Sequence, residues 1–141
     1  RDGWEGLVAL TPPSIRRGFC LVDPSYEEPA DFNRAAQVLE AVARRWNVGI
    51  LCLWYPLVSR RSQELAALKI ALESIGGEGL CAELCVRPLN SEATGFGLYG
   101  SGMIILRPPW KLGEELSMAL PWLARALEES SGEGAWSLRT W

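Results

Sequence analysis

Residues 18–26 read Gly-Phe-Cys-Leu-Val-Asp-Pro-Ser-Tyr, and the fold prediction starts from this stretch. Residues 18–22 form a short, continuously apolar run, which is typical of a strand buried on both faces of a sheet. Asp23 and Pro24 then end the run, because both residue types favour turns. The pattern predicts a buried strand whose carboxyl end carries a polar loop.

The same kind of pattern continues after this loop. Apolar residues at a 3.6-residue spacing predict a helix over Asp31–Trp46, with Asp31 as its N-cap. The remaining predicted elements are a strand over Val48–Tyr55, a helix over Ser59–Ile75, a strand over Leu80–Val86, a strand over Met103–Leu106 after a glycine-rich loop, and a helix over Trp110–Glu128 that Pro121 kinks or splits.

This order of elements predicts an α/β fold. Strand, helix, strand, helix and strand in succession are typical of a doubly wound, Rossmann-like sheet that is mostly parallel. No helix separates the last two predicted strands, so we expect an antiparallel hairpin at one edge of the sheet. The connecting loop, Pro88–Gly102, is long for a hairpin, which indicates a functional or mobile segment.

Composition favours one globular domain in the cytoplasm. The chain has 141 residues, of which 48% are hydrophobic, and this suffices for a core. No apolar run approaches the roughly 20 residues of a membrane span, and the first residues do not resemble a signal peptide. The net charge of −3 disfavours binding of nucleic acid through bulk positive charge, so any such contact must be local.

Cysteine placement and the absence of histidine restrict the chemistry. All four cysteines lie in apolar, strand-like runs, and the spacing of Cys81 and Cys85 is not that of a zinc knuckle. We therefore predict core packing for the cysteines and no metal site. Because the chain has no His, Ser/His and Cys/His nucleophilic sites are excluded. The chemistry must use carboxylates, backbone groups or a cofactor.

The loop Asp23-Pro24-Ser25-Tyr26 suits one such reaction. Ligands in open α/β sheets lie outside the carboxyl ends of the strands. An exocyclic amine of a base is a poor nucleophile, and a carboxylate with a neighbouring carbonyl can accept its two N–H groups while an aromatic ring stacks on the base. Asp23, the Pro24 carbonyl and Tyr26 match these needs. The alternative is a simple strand-ending turn.

Five blocks of sequence give a more specific indication. Arg16–Glu27 resembles the Asp-Pro-Pro-Tyr or Asn-Pro-Pro-Tyr region of adenine-N6 methyltransferases. The other four blocks are DGWEGL (Asp2–Leu7), LWYPLVSR (Leu53–Arg60), GSGMIILRPPWKL (Gly100–Leu112) and LPWLARAL (Leu120–Leu127). Together they resemble, in collinear order, the large-subunit (23S) ribosomal RNA adenine-N6 methyltransferase J family, RlmJ.

The resemblance implies roles for individual residues. It implies S-adenosylmethionine as methyl donor, 23S ribosomal RNA, protein-free or partly assembled, as partner, and Asp23 as the catalytic carboxylate that also faces the donor. Asp2-Gly3 matches an Asp-Gly pair that contacts the adenine end of the donor. Ser25 departs from the usual Pro, which leaves the loop less rigid. Tyr55, which ends the neighbouring strand, is a candidate wall of the base pocket or else a core aromatic.

The resemblance also implies that residues 1–141 form the C-terminal half of a methyltransferase domain. No strand, glycine loop and helix unit for a cofactor is found in the sequence, and Gly95-x-Gly97-x-x-Gly100 opens no helix. The edge of the first strand is then expected to pair with the missing half or with another chain. Two alternatives stay open, namely methylation of a DNA adenine or guanine N2, and a non-catalytic nucleic-acid-binding relic of the fold.

Overall fold

The computed structural model describes residues 2–88, 97–129 and 132–141. Over these residues four α-helices and five strands follow one another, with a 3-10 turn at Ser59–Arg61 between β2 and α3. The elements are α1 (Gly3–Leu10), β1 (Phe19–Val22), α2 (Ala30–Arg45), β2 (Ile50–Val58), α3 (Ser62–Glu73), β3 (Gly79–Cys85), β4 (Leu98–Leu106), α4 (Leu112–Leu127) and β5 (Ala135–Thr140).

The strand and helix around the Asp23 loop form as the sequence predicts. β1 pairs in parallel with β2, and Val22 lies beside Leu53. The apolar stripe of α2 is buried against the sheet, because residues three and four apart lie on one face of a helix. Its N-cap is Pro29 rather than the predicted Asp31, which lies in the first turn and accepts a hydrogen bond from the Glu28 amide at 3.3 Å.

The order of strands corrects the predicted sheet. The order is β1-β2-β4-β3-β5, and β1 with β2 is the single parallel pair of the described strands, so the expectation of a mostly parallel sheet is wrong. β1, β2 and β3 do run in one direction, as strands joined by helices should. β4 returns from β3 and inserts between β2 and β3, where it is antiparallel to both.

Two short elements are absent from the sequence-based prediction. β5 pairs with the outer side of β3, so the β3–β4 hairpin lies inside the sheet and not at its edge. Five of the six residues of β5 are exposed, and α1 buries no residue. Because neither element has the buried periodicity on which prediction from a pattern depends, the sequence carries little signal for them.

Helices cover both faces of the sheet. α2 and α3 pack on one face with Leu51, Leu53 and Tyr55 of β2, and α4 packs on the other face with Cys52. Cys52 and Cys81 are buried and unpaired, which confirms core packing for these two, and burial raises the pKa of Cys52 to about 11. α4 runs without interruption through Pro121, so the helix is not split there.

Candidate active site

The Asp23 loop lies at the carboxyl end of β1, which is an edge strand. Asp23 and Ser25 are exposed and Pro24 is half-buried. Among the described residues, the Asp23 carboxylate has no hydrogen-bond or ion-pair partner. Its oxygens are therefore able to accept hydrogen bonds from a ligand.

Tyr26 anchors the loop to the core. Its side chain is 8% exposed, its hydroxyl donates to the Trp54 carbonyl at 2.8 Å, and its ring centroid lies 4.5 Å from that of Phe32. Burial raises the pKa of Tyr26, so the hydroxyl stays protonated as a donor. The residue has a φ of +53°, in the left-handed region. In this arrangement the ring is part of the core, and its stacking on a base stays a prediction.

A cleft of about 450 Å³ opens beside the loop. Asp2 and Gly3, at the start of α1, and Asp23, after β1, all line it. The structure thus brings together Asp2 and Asp23, which are 21 residues apart and which the resemblance assigns to the methyl donor. The further lining residues are Trp4, Leu7, Cys20, Leu21, Val22, Pro24, Ser25, Asp31 and Arg34.

Asp2 lines this cleft, and each of its carboxylate oxygens has one partner. Its Oδ1 accepts a hydrogen bond from the Trp4 amide at 2.8 Å, which makes it the N-cap of α1. Its Oδ2 forms an ion pair with Arg34 of α2. The Trp4 amide and then the Arg34 guanidinium hold the pKa of Asp2 below its usual value. Each oxygen retains a lone pair, so the ionised carboxylate can still accept from a ligand amine.

Tyr55 does not line the cleft. It is 0% exposed, and its hydroxyl lies 3.0 Å from Cys81 Sγ and donates to Glu83 Oε1 at 3.0 Å. Because its side chain points into the core beneath α3, it cannot form a wall of a base pocket in this conformation. Of the two alternatives left open by the sequence, the structure places it as a core aromatic.

Arg34 and Asp31 are the cleft residues that sequence reasoning missed. Arg34 had no motif around it, and Asp31 was considered only as a cap. Their spacing of three residues on a helix that directly follows the loop would have placed them on one face toward Asp23. This spacing is a usable signal once the helix is predicted.

Two other motifs are remote from the cleft or partly outside the described residues. Arg107, with a φ of +58°, donates to the carbonyls of Gly49 at 2.6 Å and Trp46 at 3.1 Å. These contacts lie where β4 ends, and β4 runs opposite to β1, so Arg107-Pro108-Pro109-Trp110 is a structural junction at the far end of the sheet. Gly95 lies outside the described residues, and Gly100 lies inside β4.

Within residues 2–88, 97–129 and 132–141, no group of three or more His, Cys, Asp or Glu side chains is placed to hold a metal ion. None of the described helices is both long enough and apolar enough to span a bilayer.

Residues 1–141 match the family model described as "Ribosomal RNA large subunit methyltransferase D, RlmJ". The Escherichia coli protein named ribosomal RNA large subunit methyltransferase J is 38% identical over 123 residues, or 86% of this chain and 42% of that protein. The Haemophilus influenzae protein of the same name is 33% identical over 138 residues, or 97% of this chain and 47% of that protein. A crystal structure of a Legionella pneumophila protein of the DUF519 family superposes with a TM-score of 0.87 at 25% identity, over 99% of this chain and 49% of that one. The chain therefore spans less than half the length of these relatives.

Proposed function

This chain belongs to the large-subunit ribosomal RNA methyltransferase family RlmJ, and from this premise we propose that the complete protein methylates the N6 amine of an adenine in 23S ribosomal RNA, with S-adenosylmethionine as donor. The observation that carries the proposal is the shared cleft of Asp2-Gly3 and Asp23-Pro24. The two pairs supply a donor-side carboxylate and an acceptor-side carboxylate with a neighbouring carbonyl.

Asp23 and Pro24 activate the amine in this proposal. The Asp23 carboxylate and the Pro24 carbonyl accept the two N–H groups of the amine, which localises the nitrogen lone pair. S-adenosylmethionine supplies an electrophilic methyl group on sulfur. An N–C bond forms as the C–S bond breaks, and the surplus amine proton passes to Asp23 or to water. The target base must leave its stack to reach this loop.

In this proposal Asp2 binds the donor and Tyr26 orients the loop that faces it. Asp2 accepts from the amine of the donor's adenine, and the free lone pairs of its ionised carboxylate fit that group. Tyr26 fixes the direction of the loop through its hydrogen bond to Trp54. The base-stacking role that the sequence predicts for Tyr26 requires its ring to leave the core when RNA binds.

The remainder of a doubly wound domain is proposed to pair with β1. Phe19 and Leu21 of this edge strand are 60% and 55% exposed, although both are large and apolar. An unpaired edge strand with exposed apolar side chains is normally covered by another segment or chain. We propose that the segment with the glycine-containing cofactor loop supplies it and completes the Rossmann-like sheet.

We expect the complete protein to methylate protein-free or partly assembled 23S RNA in vitro. The assay uses donor with a labelled methyl group, followed by mass mapping of the RNA fragments and of RNA from cells that lack the protein. Label on N6 of one adenine, absent from the deletion strain, supports the proposal. Label on guanine N2 or on DNA supports the alternative amine, and RNA binding without any transfer supports a non-catalytic relic of the fold.

The isolated residues 1–141 are expected to bind S-adenosylmethionine only weakly, with a dissociation constant well above the micromolar range. The reason is that the described residues lining the cleft include a carboxylate for the adenine but no glycine-rich loop for the rest of the donor. Isothermal titration calorimetry of this segment and of the complete protein measures the difference. Micromolar binding by the isolated segment would show that the donor site is already complete within it.

A further inference from the structure

α1 makes few contacts with the rest of the fold, and its N-cap, Asp2, lines the cleft. No residue of α1 is buried, and only Trp4, Leu7 and Val8 pack in part against the core. The position of Asp2 at its start therefore depends on few contacts. Since a displacement of about 1 Å is enough to spoil a hydrogen-bonding geometry, these contacts decide whether Asp2 can meet a ligand.

Two arginines of α2 hold the two ends of α1. Arg34 pairs with Asp2 Oδ2, and its guanidinium carbon lies 5.5 Å from the centroid of the Trp4 ring. Arg45 donates from Nη1 to the Val8 carbonyl at 3.2 Å. Arg34 also lines the cleft, whereas Arg45 does not. Both side chains thus hold α1 against α2, but only Arg34 contacts the Asp2 carboxylate.

Arg34 leaves Asp2 able to bind a ligand. The guanidinium occupies one direction of Oδ2, and the Trp4 amide occupies one direction of Oδ1. An ionised carboxylate has about four acceptor directions, so two remain. Arg34 makes this contact through Nη2 alone, and its planar guanidinium also lies against the Trp4 ring, which holds its direction better than the flexible point charge of Lys would be held.

We propose that Arg34 is a positioning residue that orients Asp2 toward the adenine amine of the methyl donor and thereby sets the base preference of the donor site. This proposal rests on the proposed function. Arg34 acts through Asp2 and does not contact the transferred methyl group, so its effect belongs to donor binding and not to the chemical step.

The test compares two donor analogues in the complete protein. S-adenosylhomocysteine has the amine that Asp2 accepts from, and S-inosylhomocysteine has a carbonyl in its place. We expect the wild type to bind the first at least about tenfold more tightly, since an unpaired acceptor facing a carbonyl is costly. Arg34→Ala is expected to reduce this preference about fivefold and to raise KM for the donor, with kcat at saturating donor unchanged.

Matched variants separate positioning from general stability. Arg45→Ala removes a contact at the other end of α1, away from Asp2, and should reduce the preference much less than Arg34→Ala does. Arg34→Lys should retain part of it, and adding Arg34→Ala to Asp2→Asn should cause no further loss. The Arg34 and Asp2 side chains are 46% and 35% exposed, so the melting temperature of Arg34→Ala should stay within about 3 °C of wild type.

The outcomes are distinguishable. An unchanged preference in Arg34→Ala, or an equal loss in Arg45→Ala, overturns the positioning role while the proposed function stands. If the wild-type protein binds neither analogue and transfers no methyl group, the proposed function itself fails. Loss of preference that is much larger in Arg34→Ala and Asp2→Asn than in Arg45→Ala, with partial rescue by Lys, supports the proposal.

Discussion

Asp23→Ala in the complete protein is expected to lower methyl transfer to 23S RNA about a thousandfold, the usual effect of removing a group that stabilises charge in a transition state. The reason is that Ala accepts no hydrogen bond, so one N–H of the amine is left without its partner. Single-turnover transfer of a labelled methyl group measures the loss, and filter binding measures RNA affinity, which we expect to be retained.

Two variants control this experiment. Asp23→Asn keeps an acceptor oxygen and should lose less activity than Asp23→Ala, whereas Glu27→Ala removes an exposed carboxylate that does not line the cleft and should leave transfer unchanged. Because Asp23 is exposed and has no partner among the described residues, its loss should change the melting temperature little. Unchanged modification by Asp23→Ala would reject Asp23 as the active residue.

Gly102→Ala is expected to destabilise the fold by about 3 kcal/mol, at the upper end of the range for overpacked cores. The ring of Tyr55 crosses β4 directly over Gly102, and a Cβ there would lie 2.2 Å from Cζ and 2.4 Å from the hydroxyl oxygen. The ring cannot withdraw cheaply, since its hydroxyl is fixed between Cys81 and Glu83. Denaturant unfolding monitored by circular dichroism gives the free energy.

Glu83 makes this arrangement rigid. Its carboxylate accepts from Lys69 Nζ at 2.5 Å, from Tyr55 and from the Ser137 hydroxyl at 3.1 Å. Burial alone would raise the pKa of Glu83, but the Lys69 ammonium and these hydrogen bonds hold it below its usual value. Glu83 therefore stays ionised beside the Tyr55 hydroxyl, which keeps a fixed hydrogen-bond acceptor.

Two comparisons check the clash at Gly102. Gly6→Ala adds a Cβ that meets no atom within 4 Å in α1 and should stabilise the protein slightly through helix propensity. Gly102→Ala in a Tyr55→Leu background should cost clearly less than in the wild type, because the smaller side chain vacates the space. A loss below about 1 kcal/mol for Gly102→Ala alone would contradict the predicted clash.

The glycines of β4 show where sequence reasoning was wrong. Gly100 and Gly102 were assigned to a loop that ends before Met103, whereas both lie inside β4, which begins at Leu98. Glycine inside a strand weakens local propensity but permits close approach of another group. At Gly102 that group is a ring contributed by a residue 47 positions away in sequence, so no local pattern could indicate it.

The candidate site was predictable in part. Asp23-Pro24 at the end of an apolar strand and Asp2-Gly3 in its block were found from sequence and lie in one cleft. Arg34 was missed, because an arginine on an exposed helix face is ordinary unless its partner is known. Tyr26 was predicted to stack on the base, and Tyr55 either to line the base pocket or to lie in the core; both rings are in the core. An aromatic residue after a strand suits either place, and only packing decides between them.

Local sequence patterns predict that β1, α2, β2, α3 and β3 form, that these three strands run in one direction, and that Asp23 follows the first of them. These features depend on apolar periodicity and turn residues within a few positions of one another. The tertiary structure was needed to show that β4 lies between β2 and β3, that two tyrosine rings turn inward, and that Arg34 pairs with Asp2 at the cleft. These features are non-local, because they depend on which surfaces fit together and not on the pattern of any one segment.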